Sequence, residues 1–279
     1  MIIKTLSGIR MLDQTHGGVF AGRSLLVTGR SGTGKSVAAF QFIHQGLQQE
    51  EPCLILSTMA ANDLSICAES LGFPFAVPID NGSLILLEYQ SFIPGRGVVD
   101  WGTLPSEGFE QLREIVHANA IKRLVLDTVL PWISVPGSDR MAEHVFSFVR
   151  SCDRLGVTTL MTLPKPVSAM ALRLKKALED VVPICVLLSP TNADHLFNWQ
   201  IVKYLGERRM NEPSLFRIEV GKGIVPYEPD SAPPTARPAP AIVPPPRRVP
   251  GGEPPTPPDN RPARLSSVWK PAAPPDSGD

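Results

Sequence analysis

A glycine-rich segment between an apolar run and an amphipathic stretch constrains this chain more than any other feature. Residues 29–36 read Gly-Arg-Ser-Gly-Thr-Gly-Lys-Ser, in which four residues separate the first glycine from Gly-Lys-Ser. The apolar run 25–28 before it predicts a buried strand, and apolar residues at helical spacing follow it. Glycines let backbone N–H groups converge on phosphate oxygens, and a helix N-terminus adds partial positive charge. The segment therefore predicts a phosphate-binding loop in an α/β domain.

The residue types in this loop indicate separate roles at a nucleotide. The candidate binding residues are the eight of the loop: Gly29, Arg30, Ser31, Gly32, Thr33, Gly34, Lys35 and Ser36. We expect Lys35 to reach the β- and γ-phosphates of ATP, and the Ser36 hydroxyl to coordinate Mg²⁺. Asp127 ends the apolar run 123–127 and supplies a carboxylate for the same ion or its waters. ATP and Mg²⁺ are the expected cofactors, and an ordinary glycine turn and a strand-end cap are the alternatives.

Composition excludes several other classes of protein. The 279 residues include 27 basic and 27 acidic side chains, so the formal charge is zero and no broad nucleic-acid-binding surface is expected. No apolar run approaches the roughly 18 residues that span a bilayer, and the N-terminus lacks a signal-peptide pattern. The four cysteines are scattered, and no histidine lies at zinc-ligand spacing from them. These features predict a cytoplasmic chain without membrane insertion.

Proline divides the chain into two parts. Sixteen of the 30 prolines fall in the last 49 residues, which contain few large apolar side chains. Such a segment cannot bury enough surface to offset the entropy lost on ordering it. We therefore predict an ATP-binding domain over residues 1–230 and a disordered, proline-rich tail over residues 231–279. The tail can adopt polyproline II and contact an unidentified protein partner, and a plain solubilising linker is an equal alternative.

The body alternates short apolar runs with amphipathic stretches, which is typical of strands joined by crossover helices. Strands are predicted at 25–28, 54–57, 83–88, 123–127, 157–163 and 184–188, with 196–204 and 215–220 as an antiparallel pair. Helices are predicted over 35–46, 63–70, 106–119 and 139–155, and a long loop over 89–105. The expected fold class is α/β: a mostly parallel sheet flanked by helices, extended by C-terminal antiparallel strands.

Several further motifs occur in a characteristic order. Residues 6–13, His16-Gly17-Gly18 and residues 22–29 precede the glycine-rich loop, and Asp127-Thr128-Val129, residues 156–162 and residues 216–224 follow it. In this order they resemble one domain of the KaiC family, within the RecA superfamily of P-loop ATPases. The resemblance covers about residues 5–228. It implies a RecA-like fold, ATP bound between neighbouring subunits and a homo-oligomer, in the form of a hexameric ring.

Two departures from the family pattern bear on catalysis. Family members end the second strand in two consecutive glutamates that orient the attacking water, and Thr58 and Met59 stand there in this sequence. Glu88, at the end of a neighbouring strand, is the candidate substitute, with a solvated strand end as the alternative. Family members also reach the γ-phosphate across the subunit boundary with a lysine and an arginine; here Lys203 is kept and Leu205 replaces the arginine. An exposed strand lysine is the alternative for Lys203, because the arginines at 208 and 209 could serve instead.

Three hypotheses for function stay open on the sequence. The first is a Mg-ATP-binding switch or assembly scaffold with slow or absent hydrolysis, since water-orienting groups contribute about 10²- to 10⁴-fold to rates. The second is a weak ATPase whose site is completed by Glu88 or by a partner chain. The third is a RecA-like DNA-repair accessory. The neutral charge and the lack of a basic-aromatic strip argue against the third.

Overall fold

Strands and helices alternate along the residues described by the computed structural model, which are 3–89, 107–133, 140–207 and 212–228. The strands are β1 (Lys4–Thr5), β2 (Val19–Phe20), β3 (Ser24–Gly29), β4 (Cys53–Ser57), β5 (Leu84–Glu88), β6 (Arg123–Asp127), β7 (Thr158–Pro164), β8 (Ile184–Pro190), β9 (Phe197–Tyr204), β10 (Ser214–Glu219) and β11 (Gly223–Pro226). The helices are α1 (Arg10–His16), α2 (Lys35–Gln48), α3 (Ala61–Ser70), α4 (Ala76–Asp80), α5 (Glu107–Ala118), α6 (Leu130–Ile133), α7 (Met141–Arg154) and α8 (Ala169–Val181). The predicted tail and, apart from Tyr89, the predicted long loop lie outside the described residues.

The main sheet has the strand order β11-β10-β9-β8-β3-β7-β6-β4-β5 among the described residues. The strands from β8 to β5 pair in parallel, and β9, β10 and β11 extend the sheet by antiparallel pairing. This confirms the predicted fold class. Because the parallel strands run the same way, Gly29 at the end of β3 and Asp127 at the end of β6 lie on one edge of the sheet. One strand, β7, separates β3 from β6.

Helices cover both faces of the parallel strands. Phe42 and Ile43 of α2 share one apolar core with Val27 of β3 and Val125 of β6. The alternate strand residues belong to a second core, where Leu26 and Leu126 pack with Leu112 of α5 and with Phe148 and Val149 of α7. Every residue of β3 is buried, as expected for a strand covered on both faces. The strand that leads into the glycine-rich loop is therefore held rigidly.

A buried glutamine fixes the middle of α2 against the antiparallel end of the sheet. Gln41 donates through Nε2 to the carbonyl oxygen of Lys222 at 2.8 Å, and its Oε1 accepts from the Ile224 N–H at 2.8 Å. Gly223 lies so close that an added Cβ would stand 2.3 Å from the Gln41 Cδ, and its φ is +70°. Only glycine fits at that position, since the backbone must approach the amide closely.

A fully buried arginine ties the other end of α2 to the start of β6. The Arg123 guanidinium donates to the Glu51 carboxylate at 2.5 Å, to the Gln49 Oε1 at 2.7 Å and to the Phe42 carbonyl oxygen at 3.1 Å. It also lies over the Phe42 ring, 4.8 Å from the ring centroid. A buried charge is costly unless it is paired and hydrogen-bonded, and here it is both. The bonds of Arg123 therefore set the position of α2 relative to β6.

Some elements were not predicted from the sequence. Helix α8 lies where no helix was expected, and it begins at an N-cap in which the Ser168 Oγ accepts from the Ala171 N–H at 3.1 Å. Helix α1 begins without a side-chain cap, and β1, β2 and β11 are only two to four residues long. Such short segments carry little local signal, so their structure depends on packing.

Substituting Gly46 on α2 tests the packing around Arg123. A Cβ at position 46 would lie 2.5 Å from the Arg123 Cδ and 2.9 Å from the Cys53 Sγ. Alanine ordinarily gains up to about 1 kcal/mol over glycine in a helix, but overpacking a core costs about 1 to 3 kcal/mol. We expect Gly46→Ala to lower the free energy of unfolding, measured by urea denaturation followed by circular dichroism.

The matched control is Gly108→Ala on α5, where an added Cβ would meet only the Trp132 Cζ3, at 3.9 Å. That distance is an ordinary contact, so we expect this variant to be as stable as the wild type or slightly more stable. Equal effects of the two substitutions would contradict the packing argument.

Candidate functional site

The glycine-rich loop joins the carboxyl end of β3 to the first residue of α2. Gly34 is the N-cap of α2, with φ +96° and no side chain to cap the helix, and Gly32 also has a positive φ of +78°. At Gly29, where the loop begins, an added Cβ would lie 2.6 Å from the Leu188 carbonyl oxygen, so a side chain would clash with β8. The first amide groups of α2 have no intrahelical partner and no side-chain cap, and they are therefore available to phosphate oxygens.

Lys35, the first residue of α2, extends over the loop. Its Nζ donates to the Arg30 carbonyl oxygen at 2.8 Å. Burial lowers the pKa of the Lys35 ammonium, and the nearby Asp127 carboxylate acts in the opposite direction. A half-buried ammonium bonded to a carbonyl oxygen gains from a bound anion, since the anion supplies a full negative charge, which the carbonyl and the basic loop lack. A contact between Lys35 and the phosphates of a nucleotide stays a prediction.

Asp127 lies against Ser36, although 91 positions separate them in the chain. The Ser36 Oγ donates to the Asp127 Oδ2 at 3.1 Å, and the Thr162 Oγ1 donates to the Asp127 Oδ1 at 2.5 Å. Both carboxylate oxygens are thus engaged, one by the loop helix and one by the interposed strand β7. The structure brings together the two residues that the sequence suggested as metal ligands, and Thr162 orients one of them.

The sequence pattern did not predict a role for Thr162. It is fully buried near the end of β7, and only the strand order places it beside Asp127. Thr128 makes a second contact with this residue, because its Oγ1 donates to the Thr162 carbonyl oxygen at 2.9 Å. The available signal was a hydroxyl residue near the end of a predicted strand, but that pattern does not show which strand is the neighbour.

The groups at this edge fit the phosphate chain of a nucleotide. Uncapped helix amides, the Lys35 ammonium and the paired Ser36 and Asp127 side chains all face one loop. No group of three or more His, Cys, Asp or Glu side chains that could hold a metal ion occurs among the described residues. A cation here would therefore depend on ligands from the phosphates as well as from the protein.

The positions expected for catalytic glutamates lie directly after β4. Thr58 and Met59 are exposed there and carry no charge. In the sheet, Ser57 pairs with Asp127 on one side and with Glu88 on the other, so these three side chains point to the same face. Two strand spacings, about 9 to 10 Å, separate Glu88 from Asp127. Glu88 is half-buried and lies on the same face and at the same carboxyl edge of the sheet as Asp127. At this separation the two side chains are not in contact.

Lys203, near the end of β9, lies against the C-terminus of α8. Its Nζ donates to the carbonyl oxygens of Glu179 at 2.8 Å and Asp180 at 2.9 Å. A cation in this place stabilises the helix because it meets unpaired carbonyls and the negative end of the helix dipole. Leu205 is 53% exposed, and residues 208–211 lie outside the described part of the chain. A contact between Lys203 and a nucleotide on a neighbouring chain stays a prediction.

The His16-Gly17-Gly18 motif anchors the end of β9. The Tyr204 hydroxyl donates to the Gly18 carbonyl oxygen at 3.0 Å, and the His16 ring stacks on the Tyr204 ring at 4.3 Å. The His16 Nε2 lies 3.2 Å from the Glu207 Oε2. Burial lowers the pKa of His16, with the Glu207 carboxylate acting in the opposite direction. The motif is therefore explained by packing around β9.

Comparison with known proteins agrees with this fold and identifies a family. The family model described as ATPase: KaiC matches residues 5–231. The chain belongs to the KaiC ATPase family. It is 30% identical over 153 residues to the circadian clock oscillator protein KaiC of Synechococcus elongatus, a match that covers 54% of this chain and 29% of that protein. It is 31% identical over 151 residues to KaiC 1 of Synechocystis, covering 53% of this chain and 29% of that protein. The chain spans less than a third of the length of these relatives.

A solved structure is similar over most of the chain. The KaiC-like protein PH0186 from Pyrococcus horikoshii OT3 matches with a TM-score of 0.65 and 23% identity, covering 82% of this chain and all of that one. This likeness confirms the KaiC-like, RecA-type fold. With the family match, it identifies a nucleotide-binding, KaiC-like protein. None of the described helices is long and apolar enough to cross a membrane.

Proposed function

We propose that this protein binds Mg-ATP as a nucleotide-dependent switch or assembly scaffold and hydrolyses it slowly or not at all. The observation that carries the proposal is that the groups suited to phosphate are present, whereas the groups that orient the attacking water in the family are replaced. The loop, Lys35 and the Ser36–Asp127 pair have the geometry of a phosphate site. Thr58 and Met59, where the family has water-orienting glutamates, cannot accept a proton.

In this proposal Ser36 and Asp127 hold Mg²⁺, which neutralises charge on the phosphates when it is bound. Asp127 has its oxygens directed toward Ser36 and Thr162, so its orientation is set before any ion arrives. Lys35 contributes a second positive charge from the start of α2. These residues support tight binding, and none of them activates a water molecule.

A weak ATPase is the second candidate, and the position of Glu88 favours it. Glu88 points to the same face of the sheet as Asp127, at the carboxyl end of β5. A water or a movement of the strand end could extend its reach toward the phosphates. Glu88 stands two strand spacings from Asp127, which is too far for a direct contact between the two. Hydrolysis that depends on Glu88 should therefore be slow.

Nucleotide retention distinguishes the two candidates. Wild-type protein incubated with Mg-ATP is expected to keep bound ATP, with little phosphate release over hours; bound nucleotide is measured by chromatography and phosphate by a coupled assay. Lys35→Ala is expected to abolish binding, since it removes the ammonium next to the phosphates.

Turnover that Glu88→Gln abolishes would instead support the weak ATPase. Retained ATP affinity in Lys35→Ala would contradict the assignment of the loop. Lys222→Ala, which changes an exposed lysine paired with Glu219, is the matched control and should bind ATP normally.

Thr162→Val tests the orientation of Asp127. Valine keeps the shape of the buried side chain but removes the donor to the Asp127 Oδ1. Loss of a group that orients a metal ligand costs about 10- to 100-fold in metal affinity. We expect a loss of at least 10-fold in the Mg²⁺-dependent affinity for ADP, measured by calorimetry with and without EDTA.

The control is Thr159→Val, since Thr159 is equally buried on β7 but donates only to the Val157 carbonyl oxygen, at 3.4 Å. Equal Mg²⁺ dependence in the two variants would show that Thr162 does not position Asp127.

We also propose that the protein forms a homo-oligomer in which ATP lies between subunits, as the resemblance to its family implies. Lys203 would then leave the carbonyls of α8, or share its bonds with them, to meet a neighbouring nucleotide. Leu205 follows two positions later and is half exposed, so an arginine can be accommodated there without disturbing the core.

Light scattering tests this assembly. We expect the mass to increase on addition of Mg-ATP, Lys203→Gln to reduce the increase, and Leu205→Arg to strengthen it because the second cation of the family is restored. A wild-type monomer in both conditions would exclude the proposed oligomer. A normal increase in Lys203→Gln would exclude the role of Lys203 and leave the nucleotide proposal intact.

A further inference from the structure

A cluster of ionisable side chains joins the N-terminal part of the chain to the turn that follows β9. The Glu207 Oε2 lies 3.2 Å from the His16 Nε2, and the Glu207 Oε1 lies 3.5 Å from the Lys4 Nζ. The Lys4 Nζ also donates to the His16 carbonyl oxygen at 2.7 Å. The Glu207 carboxylate is therefore held by two residues that are distant from it in the sequence.

The Tyr204 ring supports this cluster. The His16 ring stacks on it at 4.3 Å, and the Lys4 Nζ lies 4.8 Å from its centroid. The His16 side chain is only 2% exposed, whereas the Glu207 side chain is 41% exposed. Among the described residues, the charged groups that act on the His16 ring are Lys4 from β1 and Glu207 from the turn. The Tyr204 hydroxyl, a further titratable group, donates to the Gly18 carbonyl oxygen.

The contacts of His16 depend on how many protons its ring carries. The Thr15 Oγ1 lies 2.6 Å from the Met11 carbonyl oxygen and 2.6 Å from the His16 Nδ1. The hydroxyl has one hydrogen, so when that hydrogen is donated to Met11, the Nδ1 must carry the hydrogen of the second bond. The Nε2 then needs a proton of its own to bond to the Glu207 carboxylate. All three contacts are hydrogen bonds only when the ring is the doubly protonated imidazolium.

The charge of this ring changes between pH 5 and 8. Burial lowers the pKa of His16 from its ordinary value of 6.5, the Glu207 carboxylate opposes this effect, and the Lys4 ammonium adds to it. The ring is therefore neutral at pH 7 and becomes charged on acidification. A neutral ring leaves one of the three contacts without a hydrogen, whereas a charged ring forms an ion pair with Glu207.

We infer that Lys4, His16 and Glu207 form a pH-dependent clamp that positions the turn 205–207. Acidification converts the contact between His16 and Glu207 into an ion pair, so that Glu207 is held more firmly. The Glu207 N–H donates to the Tyr204 carbonyl oxygen at 3.1 Å, which closes the turn. Holding the Glu207 side chain therefore fixes the backbone of the whole turn.

The consequence for assembly rests on the proposed homo-oligomer, in which Lys203 meets a neighbouring nucleotide. Lys203 lies two positions before the turn, and the Leu205 N–H donates to the Pro183 carbonyl oxygen at 2.9 Å. A segment that is already fixed loses less conformational freedom when it makes an intermolecular contact. We therefore expect the clamp to favour assembly, and to favour it more strongly at low pH.

The titration of His16 tests the clamp in the full-length protein without nucleotide. The His16 ring is followed by NMR from pH 8 to pH 5, and its signal is assigned by comparison with His16→Phe. Glu207→Gln keeps the shape of the side chain but removes its charge. We expect it to lower the pKa of His16 by about half a unit or more, since a nearby opposite charge favours the charged ring. Glu114→Gln is the matched control and should leave this pKa unchanged, because Glu114 is an exposed residue of α5.

Thermal unfolding gives a second measurement of the clamp. Because the pKa of His16 is lowered in the folded protein, stability decreases as the pH falls below about 6.5, and Glu207 limits this loss. The Tm of Glu207→Gln is therefore expected to lie further below that of the wild type at pH 5.5 than at pH 8. In the His16→Phe background, Glu207→Gln should have the same effect at both pH values.

Light scattering with Mg-ATP tests the consequence for assembly. Half a pKa unit corresponds to about threefold in an equilibrium constant. The concentration of Mg-ATP for half-maximal mass increase, divided by that of the wild type, should therefore increase about threefold for Glu207→Gln between pH 8 and pH 5.5. The wild type at each pH corrects for the titration of the nucleotide itself.

An unchanged pKa of His16 in Glu207→Gln, or a difference in Tm that is equal at the two pH values, would overturn the clamp. A lowered pKa with an equal concentration ratio at both pH values would overturn its role in assembly. A wild type that stays monomeric with Mg-ATP would exclude the proposed oligomer, and the titration would still decide whether the clamp exists.

Discussion

The Asp127 carboxylate joins the three elements that form the site. It accepts one hydrogen bond from Ser36 at the start of α2 and another from Thr162 on β7, while its own backbone ends β6. Hydrogen bonds to a charged group contribute about 1.5 to 3 kcal/mol each, more than neutral ones. This one side chain therefore links the start of α2, β6 and β7 at the site, in addition to the backbone pairing of β6 with β7.

The residues that we propose for phosphate binding and the positions expected for water-activating groups lie on different strands of this fold. The loop follows β3 and Asp127 ends β6, and α2 is held in place by Gln41 and by Arg123, which pairs with Cys53 at the start of β4, away from the carboxyl end of that strand. Changes at the end of β4 can therefore remove catalytic groups without disturbing the phosphate site. Thr58 and Met59 illustrate this, because neither residue is acidic and the Ser36 hydroxyl is still hydrogen-bonded to Asp127. The same separation makes an ATP-binding protein with little hydrolysis physically reasonable.

Much of the fold could be predicted, because the strong patterns are local. Strand β3, the loop and α2 follow from glycine spacing and apolar periodicity, and β6 follows from an apolar run that ends in Asp127. Helix α8 was missed although it has a local signal, a Ser168 N-cap followed by good helix formers with apolar residues at helical spacing. Thr162 has no such signal. Its role depends on which strand lies beside β6, and strand order is not a local property.

The sequence by itself determined the α/β body and the motifs of the KaiC family, and it predicted a phosphate-binding loop, because those features depend on residues close together in the chain. Tertiary structure alone decided that Ser36 meets Asp127, that Thr162 orients it, that Glu88 stands two strands away and that Lys203 binds the end of α8. These contacts join residues up to 91 positions apart in the chain. They arise from strand order and helix packing, which are set by burial of the whole apolar core and not by any single segment.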